Sequence, residues 1–281
     1  MLRSKKMANK VPYLLLGVIH LFILVYTFYK SKDKKRHIIL LLNYIGFAYI
    51  FDYIVVSLYS GYQYRPKFLK QKQLDDILGS VLSQFFYVPV TALFITSFHL
   101  GWKVKLLFTV CFSMIERLFI YLGIFKNNWW KTMYTFVLIF ISFIINDIWY
   151  RQLKKENLFV TTISFFNMIQ VTWMNIVFTF AVLRQLRYGS DWFFSWKEHF
   201  RVAPAIGLLI SLLLAWGTRI GSWRAKLKLL CSMLVIDMFL MKEQLLKVKS
   251  FPILLTIYLL MIYSASYFKR LVFIEANKCR S

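Results

Sequence analysis

Long apolar blocks alternate along this chain with short connections rich in Lys and Arg. A helix needs roughly 20 residues to cross the hydrocarbon core of a bilayer. Blocks near that length fall at 11–29, 38–59, 80–98, 104–125, 132–150, 158–183, 203–218, 226–241 and 251–268. The seventh and eighth are short, as tilted pieces or half-spans are, so the pattern predicts nine spans within a range of eight to ten. Barrel strands alternate apolar and polar over about ten residues, whereas these blocks are continuously apolar. The expected fold is all-α, a polytopic transmembrane helix bundle. No stretch outside the blocks is long enough for a soluble domain. Block 11–29 follows a basic start, but its apolar core is too long for a signal peptide and no small-residue cleavage site follows it, so it reads as a first span.

Two connections stand out by length. "SGYQYRPKFLKQKQLDDILG" (60–79) and "RQLRYGSDWFFSWKEHFR" (184–201) mix aromatic and basic residues. Rings at the interface with ammonium groups in water suit a segment lying among headgroups. The second predicts a division into an N-terminal membrane bundle (1–183, six spans), an interfacial connection (184–202), and C-terminal membrane hairpins with a basic tail (203–281).

Composition agrees: apolar residues make up 59% of 281, against about 45–50% in soluble domains. The net charge of +24 would suit nucleic acid if it were gathered on one surface. Here the basic residues occupy nearly every connection, which points to anionic lipid headgroups, worth about 1 kcal/mol per Lys or Arg near the surface. A lipid bilayer is therefore the expected partner and nucleic acid is not. Basic residues should mark the cytoplasmic side, but the two faces carry 17 and 18, with Arg117 inside a span. The densest cluster, "KSKDKKRH" (30–37), favours a cytoplasmic first connection.

Catalytic and cofactor signals are few. Cys111, Cys231 and Cys279 give no disulfide framework and no metal spacing, and His20, His37, His99 and His199 are scattered. Phosphate-loop, dinucleotide and nucleophile-elbow motifs do not occur. No cofactor or metal is expected.

The chemistry that remains lies inside the spans. Asp52, Glu116, Asp147 and Asp237 fall within them, where an ionised Asp costs on the order of 2.5–3.5 kcal/mol. Such groups face the bundle interior and find partners. Asp147, at a span end, reads as interfacial. Glu116 and Arg117 are adjacent, so on a helix they point about 100° apart and cannot simply neutralise each other. Asp52 is then the expected partner of Arg117, leaving one carboxylate to hold a proton or a cation. Gln84 stands five residues before Pro89 in "SQFFYVP"; a proline frees a carbonyl and kinks the helix, which serves either packing or a polar cavity. The candidate intramembrane polar site is therefore Asp52, Gln84, Glu116, Arg117 and Asp237. Asn43, Asn146, Asn167, Gln170 and Asn175 read as packing hydrogen bonds, worth roughly 0.6 kcal/mol each in a membrane.

A faint echo runs along the chain. Trp102 opens "WKVKLL" and Trp223 opens "WRAKLK", and fourteen residues after each stands an acid, Glu116 and Asp237. Duplication is a familiar transporter architecture, although a Lys- and Trp-rich chain also produces such matches by composition alone.

The region 36–155 resembles a family of uncharacterised five-span membrane proteins of spore-forming, low-GC Gram-positive bacteria. The resemblance rests on the order of "FDYI", "YRP" (64–66), "DDILG" (75–79), "SQFFYVP" (83–89), "GWK" (101–103), "IER" (115–117), "LGIFKNNWW" (122–130) and "WY" (149–150). It implies a fold and a cell-membrane address and carries no established activity, and it singles out Asp76, Gln84, Glu116 and Trp130, with Trp129 an alternative to Trp130. Asp76, Trp129 and Trp130 are candidate interfacial residues. Three functional classes stay open: a transporter-like or accessory component with an intramembrane carboxylate pocket; a structural envelope or sporulation-associated protein; and a small intramembrane enzyme acting on a lipid or isoprenoid, with a protonated acid as general acid.

Overall fold

The computed structural model describes residues 9–190 and 195–273. Among them are nine long helices: α1 (Lys10–Lys30), α2 (Lys34–Leu58), α3 (Lys72–Ser97), α4 (Trp102–Tyr121), α5 (Thr132–Lys154), α6 (Leu158–Val182), α7 (Trp196–Ile220), α8 (Trp223–Lys242) and α9 (Phe251–Phe273). Seven are long and apolar enough to cross a membrane; α4 and α8 are not among them. Both begin with clustered cations, Lys103 and Lys105 in one and Arg224, Lys226 and Lys228 in the other. The count of clearly apolar spans is thus about seven, within a helix bundle of nine. The chain is a multi-pass membrane protein, and among the described residues its fold is all-α apart from four three-residue strands.

Several boundaries differ from the hydropathy blocks. The two short blocks are complete helices of 25 and 20 residues, α7 and α8, because their amphipathic first turns escaped a criterion built on uniform apolarity. Helix α3 likewise starts at Lys72, eight residues before its apolar block, so the end of the connection 60–79 is helical and does not lie loose among headgroups. The chain divides between Arg151 and Gln152 into two compact units, with Ile45–Phe47 of α2 grouping with the second. That division is one helix earlier than the long connection 184–202 suggested. Of that connection, β3 (Leu186–Tyr188) and the start of α7 are described, while 191–194 and the tail from 274, with Cys279, lie outside the described residues.

In the first unit, β1 (Tyr62–Tyr64) and β2 (Phe125–Asn127) pair antiparallel, with Gln63 opposite Lys126. Helix α1 is tied in by Tyr13, whose Oη donates to Ile124 O at 2.8 Å, while Tyr87 Oη donates to Tyr13 O at 2.8 Å. In the second unit, β3 and β4 (Leu246–Val248) pair antiparallel, with Arg187 opposite Lys247.

From α2 onward each unit reads helix, strand, helix, helix, strand, helix. The agreement reaches individual backbone bonds. Helix α4 ends with Gly123 N–H on Ile120 O and Ile124 N–H on Phe119 O; α8 ends with Gln244 N–H on Met241 O and Leu245 N–H on Leu240 O. Both are Schellman closures with a left-handed residue, Gly123 at φ 71° and Gln244 at φ 58°. Residues flanking the ladders also match. Arg65 N–H reaches Ile124 O as Gly189 N–H reaches Leu245 O, and Asn128 N–H reaches Gly61 O as Lys249 N–H reaches Gln185 O, all at 2.9 Å. Glu116 is the fifteenth residue of α4 and Asp237 the fifteenth of α8. The echo seen in sequence is an internal structural repeat.

The β1–β2 ladder makes a topological prediction. With Cys111, Cys231 and Cys279 replaced, single cysteines at Gln63 and Lys126 should react with an impermeant maleimide from one side of the membrane. Cysteines at Lys34, Trp102 and Arg151 should react from the other. Labelling of positions 63 and 126 from opposite sides is incompatible with the ladder.

Candidate functional site

Asp52 lies in α2 where the helix widens from α to π, the π-turn running over Tyr53–Leu58. It is buried. Tyr62 Oη, ten residues on in β1, donates to Oδ1 at 2.5 Å, and Gln84 Nε2 of α3 donates to the same oxygen at 3.0 Å. Ser80 Oγ donates to Oδ2. Ser80 and Gln84 are four apart, so one helical face presents both. Gln84 itself lies in a second π-turn, Leu82–Tyr87, just before the α-segment that has Pro89 in its first turn. The kink expected at Pro89 takes this form: the helix continues but is locally wider. π-Turns are rare and recur at functional sites.

Glu116 is enclosed in the same way. Asn127 Nδ2 of β2 donates to Oε1 at 3.1 Å, Thr132 Oγ1 donates to Oε1 at 2.8 Å, and Thr135 Oγ1 donates to Oε2. Trp130 Nε1 in turn donates to Thr135 Oγ1 at 2.7 Å. The Tyr62 and Trp130 rings stand 5.4 Å apart. One aromatic wall therefore separates the two carboxylates, with Asp52 reached through Tyr62 and Glu116 through Trp130 and Thr135.

Neither acid has a cationic partner among the described residues. Arg117 is exposed and makes no ion pair with Asp52 or Glu116. The expected Asp52–Arg117 pair is therefore corrected. One residue beyond Glu116, the side chain turns out of the unit, and neutral donors already occupy Asp52. Three hydrogen bonds to a charged acceptor contribute roughly 1.5–3 kcal/mol each, against several kcal/mol for removing a carboxylate from water. The donors offset part of the burial without a counter-ion.

The Tyr62 phenol that does part of this work, and the neighbouring Tyr64 phenol, are held protonated. Burial pushes the Tyr62 and Tyr64 hydroxyls well above their ordinary range, and the nearby Asp52 charge adds to the rise. Tyr64 is fixed through its backbone: its N–H donates to Asp76 Oδ1 at 2.7 Å. Asp75 receives Lys67 N–H at 2.8 Å and Leu69 N–H at 2.9 Å, so the "DD" pair pins the connection 64–69 onto the start of α3.

The five candidate residues thus separate. Asp52 and Gln84 meet, Glu116 stands across the aromatic wall, Arg117 is exposed, and Asp237 lies in the second unit with Tyr258 Oη donating to Oδ2 at 2.7 Å. Trp130 is buried, whereas Trp129 is exposed with its Nε1 on Tyr59 O at 2.9 Å. Asp147, read as interfacial, pairs with Lys105 at 2.6 Å and accepts from Thr96 Oγ1 at 2.5 Å. Sequence reasoning missed Tyr62, Ser80, Thr132 and Thr135. Ser80 was within reach of it, four residues before Gln84; Tyr62 required knowing that "YQY" is a strand folded back on α2. Among the described residues no three His, Cys, Asp or Glu side chains gather as a metal site.

Set against protein-family models, curated proteins and solved structures, the chain has no match in any of the three.

Substitutions separate the two accounts of Asp52. Arg117→Ala should leave the melting temperature in detergent close to that of the parent. Ser80→Ala and Tyr62→Phe each remove a donor from a buried carboxylate and should cost about 1–3 kcal/mol. An Arg117→Ala loss as large as that of Ser80→Ala would restore the ion pair and discredit the neutral cage. In the Glu116 cage, Thr135→Val removes the donor to Oε2 together with the acceptor of Trp130 Nε1, so it should destabilise more than Thr132→Val in the same melting assay.

Proposed function

We propose that this chain is a transporter-like or accessory component of the cell membrane, and that Asp52, Tyr62, Ser80 and Gln84 form its intramembrane pocket for a proton or small cation. The observation that carries the reading is the coincidence of that pocket with two π-turns, one beginning beside Asp52 and one containing Gln84. The second unit supplies the contrast. Asp52 is the nineteenth residue of α2 and Ile176 holds that place in α6; Ser80 is the ninth of α3 and Gln84 the thirteenth, and Pro204 and Leu208 hold those places in α7. The first strand residue is Tyr62 in one unit and Leu186 in the other. Helices α6 and α7 are α-helical throughout. Pro204 sits inside α7 without any π-turn, so a proline does not by itself oblige the widening near Pro89. The shared fold can be built without the pocket and without the π-turns, which argues that both serve something beyond packing. A carboxylate met only by neutral donors keeps affinity for a positive guest.

Membership of the five-span family of Gram-positive spore formers over 36–155 is supported by Asp76, Gln84, Glu116 and Trp130 all holding the first unit together; that stretch contains four helices, α2–α5, with α1 before it. Anionic headgroups suit the basic connections.

The test is flux. Protein reconstituted into liposomes with an entrapped pH dye and a valinomycin-set potassium potential should admit protons, or sodium in a parallel assay, faster than empty liposomes. Asp52→Asn, which keeps shape and most hydrogen bonds, should abolish the difference. Equal flux in parent and Asp52→Asn would remove the pocket from the path. No flux in the parent would leave the accessory role alone standing.

A further inference from the structure

The second unit repeats the fold of the first but leaves its own interior polar groups open. Asp237, at the position of Glu116, is fully buried, yet Oδ1 has no hydrogen-bond partner among the described residues. Where Asn127 serves Glu116 from the third position of β2, the third residue of β4 is Val248. Asp237 is not alone. Gln170, Ser211 and Trp173 are at most 1% exposed, and Gln170 Nε2 and Oε1, Ser211 Oγ and Trp173 Nε1 all lack partners.

Three of these orphans gather at one helix contact. Gly207 of α7 packs directly on Trp173 of α6, so closely that a Cβ there would stand 2.4 Å from the indole ring. The two residues are at similar distances from the β3 connection, nine residues before the end of α6 and eleven after the start of α7, so the helices run antiparallel. Gln170, three residues before Trp173, and Ser211, four after Gly207, therefore lie on the same side of that contact, each about one turn away at 1.5 Å per residue. Toward the strands, the Trp173 and Tyr188 ring centroids are 6.1 Å apart. Burial raises the Tyr188 hydroxyl's pKa, and the Asp237 charge close by adds to the rise. Arg187, in the same strand, stacks its guanidinium on the Trp196 ring and leaves NH1 without a hydrogen bond.

We propose that the second unit encloses a file of water molecules running from Gln170 and Ser211 past Trp173 to Asp237, giving this fully buried acid contact with water. Water fits the chemistry because the orphans include both donors and acceptors. An occupant able only to donate or only to accept would leave some unmet. Unsatisfied buried atoms are costly, and buried waters commonly satisfy such groups with about two to four bonds apiece. In the first unit the chain's own Asn and Thr side chains meet both oxygens of Glu116, and the unpartnered Asn127 Oδ1 there is not an oxygen of the acid itself.

Radiolytic hydroxyl-radical labelling of the full-length protein in detergent tests this, because radicals form on water and label the side chains it touches. Trp173 is 1% exposed and Trp130 7%, and Tyr258 and Tyr13 are both 1%. Burial alone thus predicts slower or equal labelling in the second unit. The water file predicts severalfold faster oxidation of Trp173 than of Trp130, and of Tyr258 than of Tyr13. Gln170→Leu with Ser211→Ala should bring Trp173 down to the Trp130 rate; where the double variant does not fold, Ser211→Ala alone should lower it. Trp173 labelled no faster than Trp130 in the parent protein overturns the proposal, as does a Trp173 rate unmoved by either variant.

Discussion

Everything in the first unit turns on how to keep a carboxylate where water is scarce and no counter-ion is at hand. Asp52 and Glu116 are held by hydroxyl and amide groups alone, and those donors come from elements distant in sequence. Satisfying Asp52 requires β1 to fold back on α2 and α3 to lie against it. Satisfying Glu116 requires β2 and the first turn of α5 to close over α4. The ladder between β1 and β2 is therefore more than a connector, because pairing Tyr62–Tyr64 with Phe125–Asn127 brings both sets of donors to register at once.

That dependence explains what the sequence could show. Apolar blocks depend only on local composition, so the helical bundle, the membrane setting and the identity of the buried acids were readable directly. Helix starts were harder where the first turn is polar. Lys72–Gly79 and Trp196–Val202 look like interfacial loop by hydropathy, yet they are α-helix: Ser195 caps the second by accepting Glu198 N–H, and Asp75, Asp76 and His199 on these first turns hold the preceding connection or strand by its amides. The partners of the acids were hardest of all. Charge counting assigned Arg117 to Asp52 since opposite charges are the obvious pair, but uncharged donors satisfy a carboxylate equally well, and no linear pattern distinguishes a Thr that caps an acid from one that packs. The alternation in "YQY", "FKN", "LRY" and "LKV" was a signal for strands, at a length too short to separate from chance.

The repeat turns these difficulties into information. Two units with matching helix ends, matching flanking bonds and an acid at the fifteenth position of the same helix pose one physical problem twice. The solutions differ. One unit saturates its acid and adds a second one at Asp52, where two helices widen. The other drops the second acid, keeps straight α-helices and leaves polar atoms unmet around Asp237 and Trp173. Had both units served only as scaffold, the economical outcome in each would be apolar packing, because replacing buried polar groups with apolar ones of similar volume is often neutral or stabilising.

The side-chain bond to the β-strand amide makes the same point at one atom. Tyr64 N–H is received by a carboxylate oxygen of Asp76 at 2.7 Å, and Tyr188 N–H by the imidazole nitrogen Nδ1 of His199 at 3.1 Å. Each acceptor sits near the start of the helix after the strand, so the backbone demand is the same and the side chain that meets it has changed from acid to neutral base. The exchange keeps the strand in place while removing a negative charge from the neighbourhood of Asp237. In the first unit the corresponding region carries Asp75 and Asp76 beside Asp52, and their backbone bonds fix them there. Charge has thus been concentrated in one unit and withdrawn from the other on a common frame, and that asymmetry is what gives the two buried acids different surroundings.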